Sequence, residues 1–170
     1  GIKKLCPAYL ESLEVVCLND ANQAKAIELQ IHEILMNIIT DPTVDEGVSV
    51  RAEKSLSILL AKDNLIHKAI QKSHFVKWLA NSLKKKSSDI VLTESRLNIL
   101  ALSFKSTAVT EMLLKHNVNL PNEVFKQLRQ SKTSNVVLES NINCVYNFST
   151  CTSLLDYITP PDVLETVIDT

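Results

Sequence analysis

The chain has 170 residues, of which 45% are apolar and 22% charged, and its formal net charge at pH 7 is −1. This composition is typical of an ordinary globular domain, and the near-zero charge excludes a strong general attraction to nucleic acid or to an anionic membrane. Only two glycines occur, Gly1 and Gly47, which excludes a glycine-rich phosphate loop because that loop needs several glycines in one short stretch.

The first third of the chain is predicted to form three helices. Pro7 opens the first one, since proline is tolerated in the first helical turn, where its missing N–H would be unpaired anyway. Asp20 is expected to cap a long second helix over 21–40. An acidic loop with turn residues follows at 40–47, and a third helix is predicted over 48–62.

The rest of the chain repeats the order of short, medium and long helices. Asp63, Ser73 and Asp89 are the expected N-caps, and Pro121 lies where a second helix begins. No stretch alternates apolar and polar residues as a half-buried strand would, so the predicted class is all-α. The further predicted helices cover 63–71, 73–84, 89–104, 107–116, 122–130, 134–149, 152–158 and 161–169.

One short pattern occurs three times in the predicted long helices. It begins at Glu53, returns at Glu94 and returns again at Glu139, and each copy places an aliphatic residue three positions later. A repeat every 41–45 residues is typical of stacked helical units. We therefore expect the three long helices to lie side by side, with equivalent aliphatic residues buried at Leu56, Leu97 and Ile142.

Three helices repeated at this period resemble the armadillo repeat, with HEAT repeats as a two-helix relative. The segment 145–149 is similar to the armadillo third-helix consensus A-L-x-N-L-x, which places a groove-facing asparagine at Asn147. The glycine that armadillo units carry between their first and second helices is missing, and Ser73 and 117–119 occupy those turns. The preceding unit matches Asn147 with either Leu102 or Ser103, depending on a register of 45 or 44 residues.

The resemblance implies a right-handed α-solenoid and covers roughly residues 7–170. The expected domain is a single one, which we take to be part of a longer protein. Its units are predicted at about 7–62, 63–105, 106–150 and, as a partial unit, 151–170.

In armadillo-like solenoids the third helices line a concave surface, so their repeated polar positions predict a binding groove. Polar residues at i, i+4 and i+8 form one stripe along a helix, although the same stripes would also suit plain solvated helix faces. Asparagines there can hydrogen-bond a peptide backbone, and glutamates favour a partner with basic residues. The predicted groove residues are Glu53, Ser57, Glu94, Asn98, Glu139, Asn143 and Asn147.

The last predicted helix, 161–169, carries an apolar stripe that is too hydrophobic to face water. We expect this stripe to contact a continuation of the solenoid, a second copy of the chain or a partner, so self-association through it is one expectation. The residues of this predicted end contact are Val163, Leu164, Val167 and Ile168.

Sequence patterns for catalysis and cofactor binding are lacking. The four histidines and four cysteines are scattered without metal-ligand spacing, and no serine lies in a nucleophile-elbow context. The expectations are therefore no enzyme, no cofactor, no metal site and no small-molecule substrate. No apolar run approaches the ~18 residues of a membrane span, and the cysteines fit free buried thiols, so we expect a cytoplasmic or nuclear protein that does not bind a membrane.

The function that these observations favour is a non-catalytic scaffold or adaptor that binds a peptide segment or a partner helix in its concave groove. The alternative, from a different class, is a regulator of a small GTPase or of a chaperone ATPase, acting as exchange factor or effector. That alternative is an analogy with other armadillo-like domains and not a conclusion from particular residues. The identity of the partner does not follow from either.

Overall fold

The computed structural model describes residues 7–61, 66, 73–84, 89–130 and 135–151. Within these ranges every regular element is a helix and no strand occurs, which confirms the predicted all-α class. The predicted helices at 152–158 and 161–169 lie outside the described residues. In chain order the helices are α1 (Pro7–Val16), α2 (Asp20–Glu28), α3 (Ile31–Thr40), α4 (Glu46–Leu59), α5 (Ser73–Asn81), α6 (Ile90–Phe104), α7 (Thr107–His116), α8 (Leu120–Gln130) and α9 (Asn135–Ser149).

The chain divides into two compact units, Gly1–Phe75 and Val76–Thr170. In the first unit α4 is the central helix and packs against α1, α2 and α3. Ala52, Leu56 and Leu59 of this helix are fully buried there, and burying one leucine side chain contributes about 1.5–3 kcal/mol to folding. The core of this unit includes Leu10, Cys17, Ile27, Leu35, Met36, Ile38, Leu56 and Leu59.

A cluster of ion pairs also joins α1 to α4. The mostly buried carboxylate of Glu14 lies 3.3 Å from Arg51 Nε and 3.4 Å from Lys54 Nζ, and it accepts a 3.2 Å hydrogen bond from Ser55 Oγ. Arg51 also pairs with Glu11. Because Glu14 has three partners in a partly dehydrated position, this cluster fixes how α1 lies on α4 better than a single exposed pair would.

The single long helix predicted over 21–40 is wrong, because the chain forms two helices there. Asn19, and not Asp20, is the N-cap of α2, since its side chain accepts hydrogen bonds from the amides of Ala21 and Asn22. Gln30 has a left-handed backbone with φ 58° and ψ 28°, which ends α2 and turns the chain into α3. The two shorter helices bury their apolar faces separately, and Gln23 Nε2 donates a 3.1 Å hydrogen bond to the Ile58 carbonyl of α4.

The second unit is built around the contact between α6 and α9, the most extensive helix pair among the described residues. The helix α9 also packs on α8, and α7 packs on α6. Three phenylalanines join these helices: Phe148 meets Phe104 edge-on with ring centroids 5.1 Å apart and Phe125 at 6.2 Å. Such edge-to-face pairs are preferred by aromatic rings and add specificity to the packing.

The turn between α7 and α8 depends on the side chain of Asn117. This buried residue donates from Nδ2 to the Ala80 carbonyl at 2.7 Å and to Glu123 Oε2 at 3.0 Å, and its Oδ1 accepts from the Asn119 amide at 3.2 Å. The asparagine thus connects α5, the turn and α8.

Candidate functional site

The burial of α6 and α9 decides how the two helices correspond. Leu56 and Leu97 are fully buried as expected, but the predicted burial of Ile142 is wrong, since that side chain is 50% exposed. Its neighbour Asn141 is completely buried instead. The Glu-Ser pairs that begin at 94 and 139 suggested that the helices align at a step of 45 residues. An alignment that is wrong by one residue rotates the helix by about 100° and exchanges core positions for surface positions.

The core residues of the two helices match at a step of 44 residues. Leu97 then corresponds to Asn141, and Phe104 corresponds to Phe148, its partner in the aromatic contact. With this step Asn147 corresponds to Ser103, which is buried. The residues Glu94 and Glu139 are therefore offset by one position around their helices and are not equivalent.

The polar stripe predicted on the first long helix is not exposed to solvent as expected. Glu53 is only 5% exposed, so its carboxylate is directed into the protein and not to the surface. Ser57 is half-buried, and its hydroxyl donates a 2.8 Å hydrogen bond to the Lys54 carbonyl of the same helix. This correction follows from the packing of three helices around α4, which leaves none of its residues from 48 to 60 exposed.

The polar stripes of α6 and α9 do reach the surface. Asn98, Glu139 and Asn143 are exposed and Glu94 is half-buried, and within the described part of the chain none of these four side chains has a hydrogen-bond or ion-pair partner. Asn147 is half-buried, and its Nδ2 donates a 3.0 Å hydrogen bond to the Ala101 carbonyl of α6. The amide of Asn147 therefore connects the two helices.

The direction of α6 and α9 follows from their contacts. The Asn147–Ala101 hydrogen bond and the Phe148–Phe104 ring contact both join the C-terminal part of one helix to the C-terminal turn of the other. Two helices that pack along their length make such contacts when they run in the same direction. The helices α6 and α9 are therefore parallel neighbours.

Helix geometry places the two polar stripes on the same side of this pair. With about 100° per residue, Glu94 and Asn98 lie about 20° and 60° around α6 from Ala101. On α9, Asn143 and Glu139 lie about 40° and 80° from Asn147 in the opposite sense. Because the two helices run parallel, residues that are displaced from the contact in opposite senses lie on the same side of the helix pair. The buried residues Leu97 and Cys144 lie on the other side, which faces the core.

The stripes form two rows, one on each helix, on the same side of the α6–α9 pair. At the 44-residue step, Glu139 lies about 1.5 Å further along the axis than Glu94, and Asn143 lies about 1.5 Å further than Asn98. A pair of carboxylates is thus followed, about 6 Å along the helices, by a pair of amides. We call this surface, lined by Glu94 and Asn98 on α6 and by Glu139 and Asn143 on α9, the α6–α9 valley.

An apolar pair that the sequence analysis missed borders the valley on α9. Ile142 and Tyr146 are separated by one helical turn, and the Tyr146 side chain is 66% exposed. They follow Glu139 by three and seven residues, so they continue the outer edge of the α9 wall. We call this pair the α9 crest. The spacing i, i+4 of two large side chains was a signal for this pair, but Ile142 was expected in the core and no burial was predicted for Tyr146.

Several other expectations concern residues without a place in this site. The predicted end contact of Val163, Leu164, Val167 and Ile168 lies outside the described residues. Among the described ranges, no group of three or more histidine, cysteine or acidic residues is arranged to hold a metal ion. No helix there combines the length and the apolar character needed to cross a membrane.

The cysteines in the described ranges form no disulfide. Cys17, Cys144 and Cys151 are all buried, as expected, while Cys6 lies outside the described residues. Burial raises the pKa of the Cys144 thiol far above its ordinary value, and it raises the pKa of Cys17 as well. Because the thiolate is the reactive form, these cysteines are unsuited to nucleophilic chemistry.

Comparison with known proteins adds no relative. No protein-family model, no curated protein and no solved structure matches this chain.

Proposed function

We propose that this chain is a non-catalytic interaction module, a scaffold or adaptor, that binds a peptide segment of a partner protein in the α6–α9 valley. The observation that carries the proposal is the arrangement of Glu94, Asn98, Glu139 and Asn143. Four polar side chains without partners in the described part of the chain lie in two rows on the same side of the α6–α9 pair, whose helices are joined by the Asn147 hydrogen bond.

An extended peptide suits the valley for geometric and chemical reasons. Side chains on one face of an extended chain repeat every ~6.6 Å, because each residue advances about 3.3 Å. The carboxylate pair and the amide pair are separated by about 6 Å, which matches this spacing. The amides of Asn98 and Asn143 can donate to a peptide carbonyl and accept from a peptide N–H, and the two glutamates favour a lysine or arginine of the partner.

A larger architecture is part of the proposal. The parallel contact of α6 and α9 and the 44-residue step of their buried positions support an armadillo-like, right-handed solenoid in which each unit leaves its long helix at a binding surface. The buried free thiols support a reducing compartment, the cytoplasm or the nucleus.

The test removes the amide pair while leaving the core intact. The double change Asn98→Ala with Asn143→Ala should weaken binding of a captured partner by roughly 1–3 kcal/mol, since each lost hydrogen bond contributes about 0.5–1.5 kcal/mol. Partners are captured from lysate on the immobilised wild-type chain, identified, and then measured by calorimetry against both proteins. Asn37→Ala, at an exposed asparagine on α3, is the control and should bind normally.

Two results would contradict this proposal. If the double variant binds every captured partner with wild-type affinity, the valley is an ordinary solvated surface. If the double variant loses its helical circular dichroism or melts at a clearly lower temperature, the asparagines support the fold. A captured GTPase or chaperone ATPase whose binding ignores the valley would favour the regulatory alternative.

A further inference from the structure

We infer that the partner segment carries a large apolar residue close to its basic residue, and that the α9 crest is the surface that receives it. The inference rests on the proposed function and adds the chemical class of the bound segment. Its starting point is the position of Ile142 and Tyr146, which the α9 helix holds in solvent directly beside the wall formed by Glu139 and Asn143.

Val136 of α9 is also exposed, at 52%, but Ile142 and Tyr146 are the two large apolar side chains that lie one helical turn apart beside Glu139 and Asn143. The core side of α9 has its own apolar residues, including Val137, Cys144 and Phe148, so the α9 crest lies outside that core. A tyrosine offers a large rigid surface at small entropic cost, and tyrosine is enriched among the residues that dominate binding at protein interfaces.

Charge selects the occupant of the crest. The carboxylate of Glu139 lies one helical turn before Ile142, and Glu94 lies on the other wall of the valley. Neither carboxylate has a partner in the described residues, so both can pair with a bound lysine or arginine. The occupant is therefore a segment of another protein with a basic residue, because such a segment gains charge-assisted contacts that an acidic or uncharged segment lacks.

The dimensions of the site set the spacing within the partner segment. Along α9, Ile142 lies about 4.5 Å and Tyr146 about 10.5 Å beyond Glu139. An extended chain covers the first distance in one to two residues and the second in about three. The expected motif is thus a lysine or arginine followed or preceded, at a distance of one to three residues, by leucine, isoleucine, phenylalanine or another large apolar residue.

A random twelve-residue peptide library displayed on phage tests this motif directly. The library is selected on the immobilised wild-type chain, on Ile142→Ser with Tyr146→Ser, and on Glu94→Gln with Glu139→Gln. Val15→Ser with Val16→Ser is the matched control, since it removes two exposed valines from α1, a helix of the other compact unit. Sequencing measures which residues are enriched over selection without protein, and synthetic copies of enriched peptides are titrated by fluorescence polarisation.

The two variants are expected to affect the basic residue and the apolar residue of the motif separately. The wild type and the α1 control should enrich peptides that contain a basic and an apolar residue at the stated spacing. The crest variant should still enrich basic peptides but lose the apolar preference, and it should bind the wild-type peptides about tenfold more weakly or worse, as expected for the loss of a dominant interface tyrosine. The charge variant should lose the basic preference.

Each other outcome overturns the inference in a recognisable way. Enrichment of basic peptides without an apolar residue contradicts the role of the crest and leaves the proposed function standing. No enrichment on any variant contradicts both. A wild-type chain that forms dimers in sedimentation velocity, when the crest variant remains a monomer, shows that a second copy occupies the crest.

Discussion

At the scale of single residues, the turn around Asn117 depends on the hydrogen bonds of one buried polar side chain. Asn117 Nδ2 uses both of its hydrogens, one for the Ala80 carbonyl and one for Glu123. A buried carbonyl without a partner costs about 1–3 kcal/mol, so the first of these bonds keeps the end of α5 from being destabilised. The second bond draws the carboxylate of Glu123 into a partly dehydrated position.

The environment of Glu123 predicts a pH dependence of stability. Burial raises the pKa of this carboxyl, although the Asn117 hydrogen bond and the charges of Lys84 and Lys126 act in the lowering direction. A raised pKa in the folded state means that the folded protein holds the proton more firmly than the unfolded chain does. The stability from this group is therefore complete below the ordinary glutamate pKa of about 4.3 and is lost as the pH rises through the folded value.

Glu123→Gln should remove this loss, because glutamine stays neutral and can still accept from Asn117. We expect the free energy of unfolding of the variant, relative to the wild type, to rise between pH 4 and pH 7 in urea titrations. Glu111→Gln on the exposed face of α7 is the control and should show a smaller change. A relative stability of Glu123→Gln that falls over this pH range would show that the lysines and the hydrogen bond outweigh burial.

At the scale of helices, residue pattern predicted the elements well where local chemistry determines them. Asp89 caps α6 as expected, since its side chain accepts a 3.1 Å hydrogen bond from the Leu92 amide. Pro121 lies in the first turn of α8, where a missing N–H is harmless. The break at Gln30 was missed because neither glycine nor proline marks it, and packing on α4 imposes the left-handed residue there.

The candidate site was predicted only in part, for a reason that concerns α6 in particular. This helix is buried on most of its circumference, so its sequence permits both a 44- and a 45-residue match with α9. The match between Glu94 and Glu139 then favoured the 45-residue alignment. That alignment placed Ile142 in the core and Asn141 at the surface, the reverse of what the structure shows. The predicted exposure of Glu53 was wrong because a glutamate is normally expected at the surface, whereas this position is enclosed by the helices that pack around α4.

The corrected register predicts a contrast between two aliphatic residues that the sequence treats as equivalent. Leu97→Ala should lower the free energy of unfolding by about 2–5 kcal/mol, since Leu97 is fully buried and the change leaves a cavity. Ile142→Ala should change it by only about 0.5 kcal/mol, as is usual for surface positions. Equal losses for both variants in urea titrations would restore the 45-residue alignment.

At the scale of the whole molecule, the reactivity of the buried thiols measures the opening of each compact unit separately. Cys17 belongs to the unit Gly1–Phe75, and Cys144 and Cys151 belong to the unit Val76–Thr170. All three are buried, and the raised pKa of Cys17 and Cys144 leaves little thiolate at neutral pH. A disulfide reagent can therefore react with them only after the protein opens.

This arrangement predicts how thiol labelling should respond to a core change. In a Cys6→Ser background, the three thiols should react slowly with a disulfide reagent in buffer and rapidly in concentrated guanidinium. Leu97→Ala should accelerate labelling of Cys144, because α9 is held by α6, and a loss of about 2–5 kcal/mol corresponds to roughly 30- to 4,000-fold more opening. Cys17, in the other unit, should accelerate less, which mass spectrometry of labelled peptides resolves. Fast native labelling of Cys144 in the wild type would contradict the packing of α9 on α6, on which the valley depends.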